Sequence, residues 1–504
     1  MNANLYGILK RCFPASAGAP LLESDTGERY TYGDLDRETA RLARFLLSLG
    51  LKAGDRVAAQ IDKSPQGLFL YLATLRAGMV FLPLNTAYQK GEIGYFLGDA
   101  EPALTVCRPE AESWIAPLAR QAGTPHLLTL DEQGRGSLTD AAAGQEADFG
   151  IAESAQSDLA ALIYTSGTTG RSKGAMLSHG NLSSNGLTLR DYWRFSAGDV
   201  LIHALPMFHV HGLFVALHTV LGAGARLLFH RRFDAKAVLA DIPRATVLMG
   251  VPTFYTRLLQ EPDLTRDLCR RMRLFVAGSA PLLAETHRAW SARTGHAILE
   301  RYGMSEAGMI TSNPYDGERR AGTVGFPLPG VSLRIAGDDD RPLPAGETGS
   351  IQIKGPNVFL GYWRMPEKTA EEFTADGWFR TGDVGMVGPD GYINIVGRAK
   401  DLVISGGYNV YPKEIELLID EIPGVQESAV IGVPHPDFGE AVTAVVVRDA
   451  GGAGLTEESV IRQLKGQLAG FKIPKRVYFV EQLPRNTMGK VQKNVLRERY
   501  SPMS

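Results

Sequence analysis

The chain has 504 residues, 44% hydrophobic and 21% charged, with a formal net charge of −2. Its length exceeds the size at which one hydrophobic core stops growing, so several domains are expected, and its near-neutral charge gives no electrostatic basis for a nucleic-acid partner. Cys12, Cys107 and Cys269 are far apart and lack metal-ligand spacing, which points to a reducing compartment.

The N-terminus lacks a long apolar run, and the most apolar stretch, Val200–Leu221, carries four histidines and a proline. Neither a secretory signal nor a membrane span is expected, and the expectation is a cytoplasmic monomer or weak dimer without a membrane partner. In chain order, Asp55–Gln60 reads as a strand and Gly67–Gly78 as a helix, while the Gly/Ala-rich Asp140–Asp158 reads as a loop or linker. Strands are expected at Leu159–Tyr164, Val200–Leu205, Ala225–Phe229, Ala245–Val251 and Met272–Gly278. Helices are expected at Gly212–Gly224, Ala235–Ile242, Pro252–Gln260 and Ala284–Thr294. Short apolar runs alternating with amphipathic helices indicate parallel sheets covered by helices. Val331–Ile335, Gly349–Gly355 and Gly391–Arg398 are short strands between turn residues and suggest a β-rich, more antiparallel subdomain. After Arg398 a smaller unit reads as helix (Tyr411–Ile422), strand (Val425–Pro434), strand (Ala441–Arg448), helix (Glu458–Leu468), strand (Arg476–Glu481) and helix (Val491–Arg499). The expected fold class is therefore α/β with an α+β C-terminal domain, divided into residues 1–397 and 398–504.

The loudest local signal is "LIYTSGTTGRSKGA" (Leu162–Ala175). A buried strand breaks into glycines and hydroxyl residues and ends on Lys173. Glycines let backbone N–H groups curl around an anion, and Thr165, Ser166, Thr168 and Thr169 add donors. The spacing is not that of a Walker loop, and no dinucleotide, hydrolase or Cys/His metal motif is present. His209 and His211 alternate, which on a strand would put them on opposite faces and argues against joint metal binding. Packing and a pocket-facing role remain open for either one.

"YTSGTTGRSKGA" resembles the phosphate loop of the adenylate-forming superfamily, which includes acyl-CoA synthetases. "ERYGMSE" (Glu300–Glu306), "GWFRTGDVG" (Gly377–Gly385), "GRAKDLVISGGYNVYPKEIE" (Gly397–Glu416) and "PRNTMGKVQKNVLR" (Pro484–Arg497) resemble its other motifs, in the family's order. The resemblance implies a two-step ligase using ATP, Mg²⁺ and coenzyme A. It implies that Thr165, Ser166, Gly167, Thr168, Thr169, Gly170 and Lys173 hold the β- and γ-phosphates, and that Glu306 and Thr165 hold Mg²⁺. Glu300, Tyr302, Gly303 and Met304 would form the adenine region, with Ser305 on the α-phosphate and Asp383 and Arg398 on the ribose. Lys490 would bridge the acyl carboxylate and the α-phosphate. Lys400 would be the hinge, and Ser405, Gly406 and Gly407 part of the CoA channel. Lys493 and Arg497, one turn apart, read as a solvated face.

Arg301 is not explained by nucleotide or metal. A guanidinium in an acyl pocket is costly to desolvate and hostile to a fatty tail, but suits an acid with a second carboxylate. By resemblance, Arg257 in "VPTFYTRLL" lies on another wall of that pocket, so two arginines are expected to converge on one carboxylate. A surface arginine at 257 and a partner for Glu300 at 301 are the alternatives. "LIHALPMFHVHGLF", "ATVLMGVPTFYTRLL", "RAGTVGFPLPGV" and "NVFLGYWRMPEKT" resemble the malonyl-CoA synthetase family. This adds His209 and Ser279 to the acid site and implies malonate, or methylmalonate, as substrate. Ala307 and Gly308 depart from the bulkier residues of that family, which leaves the pocket size open. A ligase for another short-chain or aromatic acid, or a non-catalytic AMP-binding protein, are the competing readings.

Overall fold

The structure is a computed structural model and describes residues 2–165, 172–405, 408–435, 438–465, 467–486 and 489–501. Two compact units are present: Met1–Ser332 with Lys354–Phe373, and Leu333–Ile353 with Thr374–Ser504.

Among the described residues the first unit is built on two sheets. One has six strands in the order His126–Thr129, Leu104–Cys107, Arg56–Gln60, Val80–Pro83, Leu159–Thr165 and Lys173–Ser178. The first five run parallel and the last is antiparallel to its neighbour. The other has nine strands, ordered Phe326–Pro327, Gly308–Ser312, Leu299–Met304, Leu274–Ala277, Val247–Gly250, Val200–His203, Arg226–Phe229, Pro20–Ser24 and Arg29–Thr31. Its centre is parallel and both edges are antiparallel. The expected alternation of strands and helices is thus observed. The central strands are apolar along their whole length because helices cover both faces.

Helix Pro65–Arg76 illustrates the local logic. Ser64 Oγ accepts from the Gly67 N–H at 3.2 Å, Pro65 occupies the first turn, and nearly every side chain is buried. A helix that is apolar all round belongs in the middle of a domain. The expected loop at Asp140–Asp158 is partly corrected: its first residues close helix Ser137–Ala142. The remainder is tied down by Arg76, whose Nε donates to the Gly150 carbonyl at 3.0 Å.

The second unit carries a four-stranded sheet, Ser332–Ala336, Gly349–Lys354, Phe379–Val387 and Ile393–Arg398, whose last three strands pair antiparallel, and a five-stranded sheet centred on Val425–His435 and Gly439–Arg448. Helices Pro412–Asp420, Glu457–Leu464 and Lys493–Tyr500 accompany the latter. Among the described residues no helix is long and apolar enough to cross a membrane.

Candidate active site

"ERYGMSEAG" is a β-hairpin. Strand Leu299–Met304 pairs antiparallel with Gly308–Ser312, and the connecting turn carries Ser305, Glu306 and Ala307. Two outside contacts fix the turn: the Phe359 N–H donates to the Glu306 carbonyl at 2.8 Å, and Asn357 Nδ2 to the Ala307 carbonyl at 2.7 Å. Gly308 answers the question of bulk raised by the sequence. Its φ is +58°, and an added Cβ would lie 2.5 Å from Asn185 Oδ1, the acceptor of the Met309 N–H. The residue is thus glycine for its backbone. Gly308→Ala is expected to cost about 1–3 kcal/mol, read as a lowered midpoint in urea unfolding.

On the strand, Glu300 and Arg301 point to opposite faces, as neighbours on a strand must. Both are buried. Glu300 Oε1 accepts from the Leu282 N–H at 3.3 Å, and its carbonyl accepts from the Asn313 N–H at 3.0 Å. Arg301 is only 3% exposed, and its Nε and Nη2 have no hydrogen-bond partner among the described residues. Burial lowers its pKa to about 9, against the raising influence of Tyr255 and Glu300, so it stays charged at neutral pH. The guanidinium lies over Gly278, where an added Cβ would stand 2.4 Å from it. An unpaired buried charge is expensive unless a ligand completes it.

The next residue, Ser279, has φ +70° and hydrogen-bonds His211 Nδ1 at 3.2 Å. His211 is fully buried, and its Nε2 has no partner among the described residues. Burial and the nearby Arg301 charge hold its pKa well below the usual histidine range, so the ring is neutral. The strand assumed for these histidines is corrected. The strand ends at His203, and His211 opens a wide helical turn, His211–Ala216, that runs into helix Leu217–Ala223. Such π-turns recur at functional sites. His209 is half-buried just before it, and its Nδ1 accepts the His211 N–H at 3.2 Å. Arg301 is thus buried, whereas the second arginine expected at the acid site, Arg257, is an exposed residue. Arg257 is exposed on helix Pro252–Leu259, where the buried residues are Phe254, Tyr255 and Leu258. Tyr255 is the residue electrostatically coupled to Arg301, and a position two residues further along a helix faces nearly the opposite way. His211, left open by the sequence, lies beside Ser279 and within the electrostatic reach of Arg301.

At the hairpin tip Glu306 is buried, and its Oε1 accepts from Thr165 Oγ1 at 3.3 Å and from Tyr362 Oη at 3.2 Å. Lys173 Nζ lies 3.3 Å from Glu372 and 4.3 Å from the centre of the Tyr362 ring. Strand Lys173–Ser178 brings these together: its backbone bonds the segment through Tyr362 at Met176–Gly361 and Trp363–Gly174. Tyr362 and Glu372 were not legible as site residues. Ser166, Gly167, Thr168, Thr169 and Gly170 lie outside the described residues, as do Gly406 and Gly407. No group of three or more His, Cys, Asp or Glu side chains among the described residues can hold a metal unaided. The Glu306 carboxylate and Thr165 hydroxyl nevertheless fit Mg²⁺, which takes one or two protein oxygens and fills its octahedron with water and substrate phosphates. Tyr302, Gly303, Met304 and Ser305 are half-buried along the same hairpin.

In the second unit Asp383 and Arg398 are register partners, with Arg398 Nε 3.2 Å from Asp383 Oδ1. Lys490 follows a tight turn in which the Asn486 N–H donates to the Lys490 carbonyl and Asn486 Oδ1 accepts the Lys490 N–H, both at 2.9 Å. Its pKa is lowered to about 8, first by burial and then by the Arg398 charge, with Asp383 opposing. These motifs, about 100 residues apart in sequence, thus share one electrostatic site. Lys400 is exposed in the turn Ala399–Asp401, and Ser405 is buried at the end of strand Val403–Ser405. Lys493 and Arg497 do not form a solvated face. Lys493 pairs with buried Glu416, and Arg497 Nη2 lies 2.9 Å from Asp401.

The sequence profile of AMP-binding enzymes matches residues 12–363, and that of the AMP-binding enzyme C-terminal domain matches residues 414–490. The chain belongs to the AMP-binding enzymes. This AMP-binding enzyme is 38% identical over 478 residues to a feruloyl-CoA synthase from an Amycolatopsis species, covering 94% of each chain. It is 33% identical over 518 residues to a malonate–CoA ligase from Arabidopsis thaliana, covering 94% of this chain and 85% of the relative. The crystal structure of ATP-bound MatB from Rhodopseudomonas palustris superposes on the enzyme with a TM-score of 0.97 and 59% identity, covering 100% of this chain and 99% of that one.

Proposed function

We propose that this enzyme joins malonate to coenzyme A at the expense of ATP, through malonyl-AMP. The observation that carries the reading is the buried Arg301 guanidinium, whose Nε and Nη2 have no hydrogen-bond partner among the described residues, near neutral His211 and Ser279. Arg301 Nε and Nη2 can grip both oxygens of a carboxylate, and His211 Nε2–H adds a neutral donor. A hydrocarbon or aryl tail would leave all of them unsatisfied. This weighs against the aromatic acid that the feruloyl-CoA synthase relative favours.

The acid's other carboxylate attacks the α-phosphorus, forming a P–O bond as the bond to pyrophosphate breaks. Thr165 and Lys173, with the loop after Thr165, hold the β- and γ-phosphates. Glu306 and Thr165 hold Mg²⁺, which neutralises phosphate charge when bound. Glu300, Tyr302, Gly303 and Met304 line the adenine site, Ser305 meets the α-phosphate, and Asp383 with Arg398 accepts and orients the ribose. The Lys490 ammonium offsets the charge gathering between carboxylate and α-phosphate. In the second step the CoA sulfur attacks the acyl carbon, the C–O bond to AMP breaks and the thiol proton is lost. Residues 398–504 form the mobile domain, pivoting at Lys400 and presenting Ser405, Gly406 and Gly407 to the pantetheine arm. His209 and Arg257 are further candidates for contact with the acid. The enzyme acts in the cytoplasm on small molecules, as a monomer or weak dimer.

Pyrophosphate release measured with malonate, methylmalonate, acetate, butyrate, benzoate and ferulate tests the proposal. Malonate is expected to exceed every monoacid in kcat/KM by at least about 100-fold, the discrimination expected when buried donors lose their partner. Butyrate or ferulate equalling malonate would end the diacid reading.

A further inference from the structure

We infer that Lys63, acting through His203, is a positioning residue for the His211 side of the acid pocket. The inference rests on the reading of that pocket given above. Lys63 follows the carboxyl end of strand Arg56–Gln60 in the six-stranded sheet, and His203 ends strand Val200–His203 in the nine-stranded sheet. The two side chains join the sheets at the strand ends where α/β proteins bind ligands. Lys63 is buried, and its Nζ lies 2.6 Å from His203 Nδ1 and 2.7 Å from the His203 carbonyl, with the Phe229 ring centre 4.4 Å away.

On its other side His203 Nε2 lies 2.9 Å from the Gly212 carbonyl. A carbonyl only accepts, so Nε2 carries the proton and Nδ1 is left to accept from Lys63. The His203–Gly212 bond closes the loop that contains His209 and ends beside His211. The loop is tight: a Cβ on Gly212 would lie 2.1 Å from the Pro206 carbonyl oxygen. His211 then passes the constraint to Ser279. Among the described residues Lys63 makes no ion pair with a carboxylate, and its amine contacts His203. Its amine has the length and donor count to hold the imidazole by one nitrogen while anchoring the chain at His203.

The titration of the pair fits this arrangement, since burial pushes both Lys63 and His203 well below their usual pKa ranges.

The test compares Lys63→Met with wild type, because methionine keeps the volume and removes the donors. The malonate KM is expected to rise at least about tenfold, the effect of one lost hydrogen bond in a buried network, with the ATP KM within about twofold. A malonate KM within about twofold of wild type, or an ATP KM rising by the same factor, would overturn the proposal. Should the variant fail to fold, wild-type enzyme labelled with ¹⁵N-histidine decides the matter. Malonate, and not ATP, should shift the His203 ring signals together with those of His211, and a shift at His211 alone overturns it. The two readings fail separately. Absence of malonate preference in the wild-type acid panel retires the pocket assignment, whereas an intact preference with an unmoved malonate KM in the variant retires only the role of Lys63.

Discussion

Arg301→Met is expected to reduce kcat/KM for malonate by about 10²–10³-fold or more while leaving the ATP KM near its wild-type value. Removing one member of a buried charged contact typically costs about 2–5 kcal/mol, and each 1.36 kcal/mol is a factor of ten. The same substitution should make the unliganded protein more stable. Arg301 is 3% exposed with two nitrogens unpartnered among the described residues, so methionine puts apolar volume in place of a buried charge that is only partly compensated. Binding and stability should therefore move in opposite directions. Thermal unfolding with and without malonate checks both, with a higher Tm for the free variant and no further rise on adding malonate. A parallel loss of ATP and malonate binding, or a lower Tm in the free variant, would place Arg301 in the framework instead of the pocket.

Lys490→Ala should slow malonyl-AMP formation by about 10²–10³-fold, the usual loss when a preorganised donor to developing charge is removed. Thioester formation from supplied malonyl-AMP should survive within a few-fold. The lowered pKa adds a second signature. Lys490 in the free protein sits at about 8, and the role proposed for it in adenylation needs its charged form. The charged fraction is complete below pH 7 and falls as pH passes 8, so kcat/KM for ATP should decline above that point, tenfold per unit. Lys490→Arg, which stays protonated, should be slower but lose that decline. A flat wild-type profile to pH 9.5, or equal loss of both half-reactions in Lys490→Ala, would contradict the assignment.

The fold was legible because its signals are local. The parallel strands of the two large sheets are short apolar runs, and a helix such as Pro65–Arg76 announces itself by its capping residue Ser64. The charged residues of the hairpin were legible as a site for a related reason, since Glu300, Arg301 and Glu306 are out of place in core sequence. What escaped depends on contacts distant along the chain. Tyr362 becomes a partner of Glu306 only because its segment adds to the edge of strand Lys173–Ser178. His211 acquires meaning from Ser279, which the nine-stranded sheet brings to it. The burial of Tyr255 and the exposure of Arg257 on one helix were likewise not legible, because a motif gives a helix without giving its rotation.

The last helix of the chain has a mechanical consequence. It starts three residues beyond Lys490 and is fastened at Lys493 to an interior glutamate and at Arg497 to Asp401, the residue next to Lys400. One ion-paired helix therefore links the neighbourhood of Lys400 to the segment that carries the Lys490 amine.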